Sequence, residues 1–339
     1  MSADVAPSRS RLGGDLSESV GARIGRAVRP SAPVFIVLIG LLVWITIENP
    51  NFTDPNVFLI FLRRAAPLMI LAAGQLFVIV SGEFDLSMGA LITLTVILSG
   101  SWTDGDPSRT LPVMAVLVLI GLVVGLTNGL ITTRLGVPSF ITTLGMMLIL
   151  NGFALWWSGG TPKGSLPDNF RKWGRTGIDD MPVIGQLPYS VLIMWIVAAL
   201  ATWLLHFTSF GKQVAATGGN PRAAFFSGVD VPRIRISAFL ISALSAVIAG
   251  ILLGGFSGVS PDAGGGYEFQ AISAVILGGA VLGGGRGAVI PAMAGALTLE
   301  ALFTLLNLLG LPNPIRDVFQ GGIIIAAIGI AAFRQRASR

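Results

Sequence analysis

The sequence predicts an all-α polytopic membrane protein of about ten transmembrane helices, some of them broken. Three observations lead to this class. Of 339 residues, 53% are hydrophobic and only 12% are charged, against about 25% charged in soluble domains. Mean hydropathy is +0.79. The apolar residues fall in long runs separated by short polar breaks, and about 20 helical residues cross a hydrocarbon core of about 30 Å. A membrane β-barrel would need short alternating segments instead.

The elements follow in order. Residues 1–32 form a polar tail with Arg9, Arg11, Arg23, Arg26 and Arg29, and no apolar core of a cleavable signal lies among them. The run Val34 to Ile47, flanked by Pro33 and Glu48, reads as an uncleaved first span. Hydropathy places ten spans near 33–48, 65–82, 86–102, 111–133, 137–158, 188–207, 236–257, 269–284, 287–309 and 315–333. Together they make one transmembrane unit over 33–333, followed by a basic tail at 334–339. With the N-terminus inside, fourteen of the 22 Lys and Arg residues fall on the inner side and eight outside. That bias favours an N-in, C-in orientation. The 208–236 loop is then the largest inner loop and 159–187 the longest outer one.

The tryptophans at 44, 102, 156, 157, 173, 195 and 203 mostly lie near span ends, as interfacial anchors do. No cysteine is present, which excludes disulfides, thiolate metal sites and cysteine nucleophiles. The lone histidine, His206, reads as an interfacial residue and cannot build a metal site by itself. The net charge of +5 is a topology signal here rather than a nucleic-acid footprint. No G-x-x-x-x-G-K-[ST] phosphate loop occurs, so the chain cannot supply ATP hydrolysis by that route.

The 208–236 loop contains "GGNPRAAFFSG". Asn220 suits an N-cap and Pro221 the first helical position. Gly228 suits a left-handed stop. A helix of under two turns is marginal alone. It either lies on the membrane with Phe225 and Phe226 in lipid, or docks on a cytoplasmic partner.

Several stretches resemble one family in the same order. "TSFGKQVAATGGNPRAAFFSGV" resembles the cytoplasmic loop of bacterial ABC-type sugar permeases of the ribose-permease family. Gly211, Lys212, Gly218, Gly219, Asn220, Ala223, Ala224, Ser227 and Gly228 carry the match. "SGEFDLSMGAL" is similar to the family's G-G-x-D-L-S-x-G, "VPSFITTLGMMLILNGFAL" to its V-P-x-F-I-x-T-L-G-M, and "YEFQAISAVILGG" to its Y-E-L-x-A-I-A-A-V-x-x-G-G. The resemblance covers roughly residues 34 to 333. It implies the membrane subunit of an importer in the bacterial inner membrane. Its partners would be an ABC ATPase, a second permease subunit (a copy or a relative) and an external substrate-binding protein. ATP and magnesium would sit on the ATPase, with no cofactor or metal on this chain. The segment Gly219, Asn220, Pro221, Arg222, Ala223, Ala224, Phe225, Phe226, Ser227 and Gly228 would be the helix that couples the permease to that ATPase.

Polar residues within the spans are the candidate pathway groups: Asp85, Ser87, Glu300 and Asn307. Asp85 lies at the break between spans two and three, where it or Ser87 could cap span three; a direct substrate role is the alternative. Glu300 falls inside span nine, where a carboxylate faces a partner or a water-filled cavity. It reads equally as a pathway residue or as half of a structural pair. The family often carries G-x-x-N-N-G-L-N-L-L-G there, of which this chain keeps Asn307 and the following Leu-Leu-Gly. Gln75, Asn128 and Asn151 read as interhelical hydrogen-bonders. The glycine-rich breaks "GEFDLS" and "GGGYEFQ", after spans two and seven, fit two inverted five-helix halves.

The leading reading is a permease for a monosaccharide or similar small polyol. Related families carry nucleosides or branched-chain amino acids. A different class is a proton- or ion-coupled secondary transporter using Glu300 or Asp85. An intramembrane enzyme would require a converging nucleophile and base, which the sequence does not offer.

Overall fold

The structure is a computed structural model that describes residues 32–182 and 185–312, together with 314, 315, 318, 319, 321, 322 and 325. The polar and basic tails, and most of the expected tenth span at 315–333, lie outside the described residues.

Helix α1 (Ala32–Glu48) is followed by a 3-10 turn at Pro50–Thr53 and by α2 (Pro55–Val80). The second span begins at Pro55 rather than near 65. Asp54 accepts a hydrogen bond from Asn56 N and Pro55 takes the first helical position, so the helix starts at a strong cap. Arg63 and Arg64 therefore lie within the helix and not in a preceding loop. Helix α3 (Met88–Thr103) leads through a 3-10 turn at Pro107–Arg109 into α4 (Thr110–Arg134), and α5 (Ser139–Ser158) follows. In that turn Asp106 accepts from the Ser108 hydroxyl and backbone N–H, which hold its carboxyl below the usual carboxylate range.

The long outer loop carries a short helix, α6 (Asp168–Arg175), and an antiparallel hairpin of β1 (Gly177–Met181) and β2 (Gly185–Pro188). This hairpin departs from the all-α expectation. Gly177 opposes Pro188 in it, and a side chain on Gly177 would collide with the Leu187 carbonyl. The pair of extended strands thus forms where glycine permits backbones to approach.

Helix α7 (Tyr189–Phe207) then leads to α8 (Ser209–Gly219), the short α9 (Pro221–Phe226) and α10 (Val231–Ser257). The loop expected at 208–236 is therefore mostly helical. Thr208 caps α8 through Gly211 N, and Asp230 caps α10 through Arg233 N. Helices α11 (Tyr267–Leu277) and α12 (Val289–Leu308) complete the described part. Six of these helical segments are long and apolar enough to cross a membrane, and α1, α3 and α11 are shorter apolar helices. The chain is a multi-pass membrane protein.

The two longest helices, α2 with 26 residues and α10 with 27, form the centre. Every residue of α2 from Ala65 to Val80 is buried, as expected of a helix that is apolar all round and surrounded by others. Helix α4 packs on α10 through Gly121, Gly125 and Gly129, spaced four apart. Side chains there would run into Val247, the Phe239 carbonyl and Ile236. Such small-residue stripes let membrane helices approach closely, where van der Waals packing holds them. Gly125→Leu should force α4 off α10 and cost about 1–3 kcal/mol by overpacking. The check is the thermal midpoint of the detergent-solubilised protein, which should fall.

Both central helices end alike. Ser81 is followed by Gly82 at φ +88°, and Ser257 by Gly258 at φ +85°. After each comes a non-helical run, 81–87 and 258–266, and then a short helix. The second run lies against the first short helix: Gly264 N donates to Thr93 Oγ1 at 3.0 Å, and Gly264 abuts the Gly89 backbone. Irregular backbone at membrane depth is tolerated only where it is buried in protein or lines a water-filled cavity.

Candidate functional site

The short helix in the inner loop forms as its sequence dictates. Asn220 is extended (φ −159°), and its Oδ1 accepts from Ala223 N at 3.0 Å. Gly228 (φ +84°) ends the turn, and Val229 N returns to the Ala224 carbonyl. A six-residue helix needs support. Ala224 is buried and supplies it, whereas Ala223, Phe225 and Phe226 face outward. The two phenyl rings are 65% and 76% exposed and meet edge to face with centroids 5.8 Å apart. They make an aromatic knob on a capped, short helix. Of the expected coupling segment, Gly219 to Gly228, the structure thus places the cap, the stop and two projecting rings on one compact turn.

Just before this helix, α8 ends on the α2–α3 break. A side chain on Gly218 would collide with the Val80 carbonyl and come within 2.6 Å of Gly285 N. Gly285 N itself donates to the Val80 carbonyl at 2.8 Å. Just after it, Arg235 on α10 pairs with Glu83 of the same break, Nη1 to Oε1 at 2.8 Å. Beside this pair lies a cavity of about 380 Å³ lined by Glu83, Thr132, Pro138, Pro232 and Arg235, among others.

The break holds the expected pathway residues Asp85 and Ser87, each 1% exposed. Asp85 Oδ1 accepts from Ser87 N at 2.9 Å and from Ser87 Oγ at 2.6 Å. Its Oδ2 accepts from Ser242 Oγ of α10 at 2.6 Å. Ser87 Oγ in turn accepts from Asn128 Nδ2 of α4 at 2.9 Å. Phe84 N donates to Ser139 Oγ of α5 at 3.1 Å. A buried carboxylate needs such donors, since an unpaired one costs far more than a neutral polar group. The cap reading is thereby corrected in detail. Ser87 occupies the N-cap position of α3 but makes no side-chain cap bond. Asp85 instead closes the turn ahead of the helix and bolts it to α10, because Ser242 of the facing helix supplies a donor that the local sequence does not show. Asn128 acts as the interhelical hydrogen-bonder expected of it.

Glu300 and Asn307 belong elsewhere. Glu300 lies 3.9 Å from Arg64 Nε of α2, which supplies a partner for the pair reading. Asn307 is exposed at the far end of α12. Several residues of the site were not singled out from sequence, among them Glu83, Arg235, Ser242 and Glu268. Ser242 sits in an ordinary apolar helix pattern and carries no local signal. Glu268, at the start of α11, is 7% exposed, and its Oε2 fills the space a side chain on Gly89 would need. Its signal was the Y-E pair within a quoted motif. Among the described residues no three His, Asp or Glu side chains converge as metal ligands.

Comparison with known proteins adds the family. Residues 57–328 match the family model described as branched-chain amino acid transport system / permease component. The ribose import permease protein RbsC of Escherichia coli (strain K12) is 36% identical over 296 residues, which cover 86% of this chain and 91% of that protein. The ribose import permease protein RbsC of Bacillus subtilis (strain 168) is 35% identical over 301 residues, covering 87% and 90%. The xylose/arabinose import permease protein XylH of Sulfolobus acidocaldarius is 32% identical over 321 residues, covering 90% and 85%. No solved structure matches the chain.

Proposed function

The chain belongs to the branched-chain amino acid transport system / permease component family, and from that premise we propose that it forms the membrane pathway of an ATP-binding-cassette importer for a monosaccharide or similar small polyol. The observation that carries the substrate class is the similarity, over most of the chain, to permeases named for ribose and for xylose and arabinose. The family description itself names branched-chain amino acids, and these, with nucleosides, are the alternative cargo. Uptake of radiolabelled ribose, xylose and leucine by cells with and without the gene separates the two. Loss of pentose uptake alone is the expected result.

Ten spans with both termini inside accommodate the described helices. The matched Ser-Gly ends of α2 and α10, each followed by a break and a short helix, support two inverted halves. This topology places α9 in the cytoplasm of a bacterial inner-membrane protein. There Phe225 and Phe226 are a knob for the groove of an ABC ATPase, which binds the ATP and magnesium. The outer loop with α6 and the hairpin faces the substrate-binding protein. Transport then requires two arrangements of the membrane domain that nucleotide binding favours differently.

A second permease subunit is supported by the outward face of α5. Asn151, Gly145 and Gly152 are exposed there, with nothing within 4 Å of either glycine. A polar amide and bare glycines are poor lipid-facing residues, and small residues mark helix–helix contacts. Gly145→Leu with Gly152→Leu should reduce the purified particle from two permease copies to one, read by mass photometry in nanodiscs.

Purification of the tagged chain from its native membrane, with mass spectrometry of what accompanies it, tests the importer reading directly. A stoichiometric soluble protein with a phosphate-binding loop is expected. A folded chain that always emerges alone would instead point to secondary transport, with Glu300 the first residue to replace.

A further inference from the structure

The segment bearing α9 meets the α2–α3 break on both of its flanks. Upstream, Gly218 at the end of α8 packs backbone to backbone on Gly82. A side chain on Gly82 would come 3.5 Å from Gly218 Cα, and one on Gly284 would lie within 2.9 Å of both Gly218 and Gly82. Downstream, the Arg235 guanidinium lies over Gly82, with Nη2 3.9 Å from where its side chain would start, and pairs with Glu83 at 2.8 Å. The two side chains are only 21% and 11% exposed, and Arg235 Nε is buried without a hydrogen-bond partner among the described residues. The chain then runs from Glu83 through Phe84 to Asp85, which is bolted to Ser87 and Ser242.

We propose that Glu83 and Arg235 are positioning residues for coupling: their largely buried ion pair, together with the Gly82–Gly218–Gly284 backbone junction, fastens both flanks of α9 to the α2–α3 break, so that a displacement of α9 moves the break and its Asp85 cluster. The inference rests on the importer reading, in which α9 receives the push of the ATPase. Its physics is that of a short lever. A glycine contact has no side chains to flex, and packed backbone transmits displacement rather than absorbing it. The ion pair closes the other side. A buried pair is poor evidence for stability but a good device for holding one register. The adjoining cavity gives the foot of α10 room to move as a body without displacing packed side chains.

The absence of native cysteine allows a direct test on the complete transporter. Ala223→Cys reports on α9 and Phe84→Cys on the break. Each is introduced singly into the chain assembled with its ATPase in nanodiscs, and maleimide labelling rates are compared without nucleotide and with ATP and vanadate. In the otherwise native chain both rates should change, by about tenfold if a state of roughly ten per cent becomes dominant. In Glu83→Gln and in Arg235→Gln the change at Ala223→Cys should persist while that at Phe84→Cys falls toward none. The reversed pair, Glu83→Arg with Arg235→Glu, should regain it. A full response of the break in both single variants overturns the latch while leaving the importer reading intact. No nucleotide response at Ala223→Cys in the native background overturns the importer reading, and the latch with it.

Discussion

Phe225→Asp combined with Phe226→Asp should strip the ATPase from this protein without unfolding it. Both rings are exposed in the isolated chain, so their replacement removes no core packing. Aromatic anchors at the centre of an interface are worth about 2 kcal/mol or more each when truncated. Two of them correspond to a loss of about a thousandfold in affinity, and aspartate adds the cost of burying a charge in the groove. The readout is retention of the ATPase on tagged permease after washing, with the permease thermal midpoint as control. Substitution of both alanines by arginine is a poorer test, because Ala224 is buried and a guanidinium there would dislodge the helix itself. Ala223→Arg, on the exposed side, is the informative alanine variant. If the ATPase stays bound to the double aspartate variant, α9 is not the dock, and the rings belong to the lipid surface instead.

The second large effect is expected at Asp85. Asp85→Ala leaves the Ser87 N–H, the Ser87 hydroxyl and the Ser242 hydroxyl without their acceptor in a site closed to water. Each buried orphan costs about 1–3 kcal/mol, so the variant should lose several kcal/mol and most of its folded yield. Ser242→Ala removes one donor and should cost only about 1–3 kcal/mol. The double variant should be less destabilised than the two single losses added together, since residues of one hydrogen-bond network couple by about 0.5–3 kcal/mol. Thermal unfolding of the four proteins in the same detergent gives this cycle. Additive losses would mean that Asp85 and Ser242 do not act together and that the bolt between the break and α10 is not a structural unit. Transport by Asp85→Asn, which keeps the shape but not the charge, then tells whether the carboxylate has a role in moving substrate beyond holding the break.

Much of this protein was legible in its residues. The runs that became α4, α5 and α7 start and stop within about two residues of their expected ends, because apolar length and helix-breaking prolines and glycines are local properties. Asn220, Pro221 and Gly228 announced α9 for the same reason, each by its own backbone preference. The start of α2 was misplaced because Arg63 and Arg64 look like loop residues to a hydropathy count. In the fold they sit within a capped helix, where Arg63 Nη1 donates to the Arg175 carbonyl and Arg64 lies near Glu300. The hairpin at 177–188 and helix α8 were missed because each is decided by caps, turns and close backbone contacts in a segment with little apolar signal.

The sequence by itself determined the membrane class, the approximate spans, the glycine-rich breaks and the short helix with its exposed aromatic pair. These depend on hydrophobic length and on the conformational freedom of single residues. Only the tertiary structure decided what the first of these breaks is fastened to. Ser242 carries no distinguishing mark in its helix, and Glu83 and Arg235 are remote in sequence. Their meaning comes from α10 lying beside the end of α2, which sets Ser242 against Asp85 and Arg235 against Glu83. Such pairings arise from packing geometry between distant segments, and no local pattern encodes them.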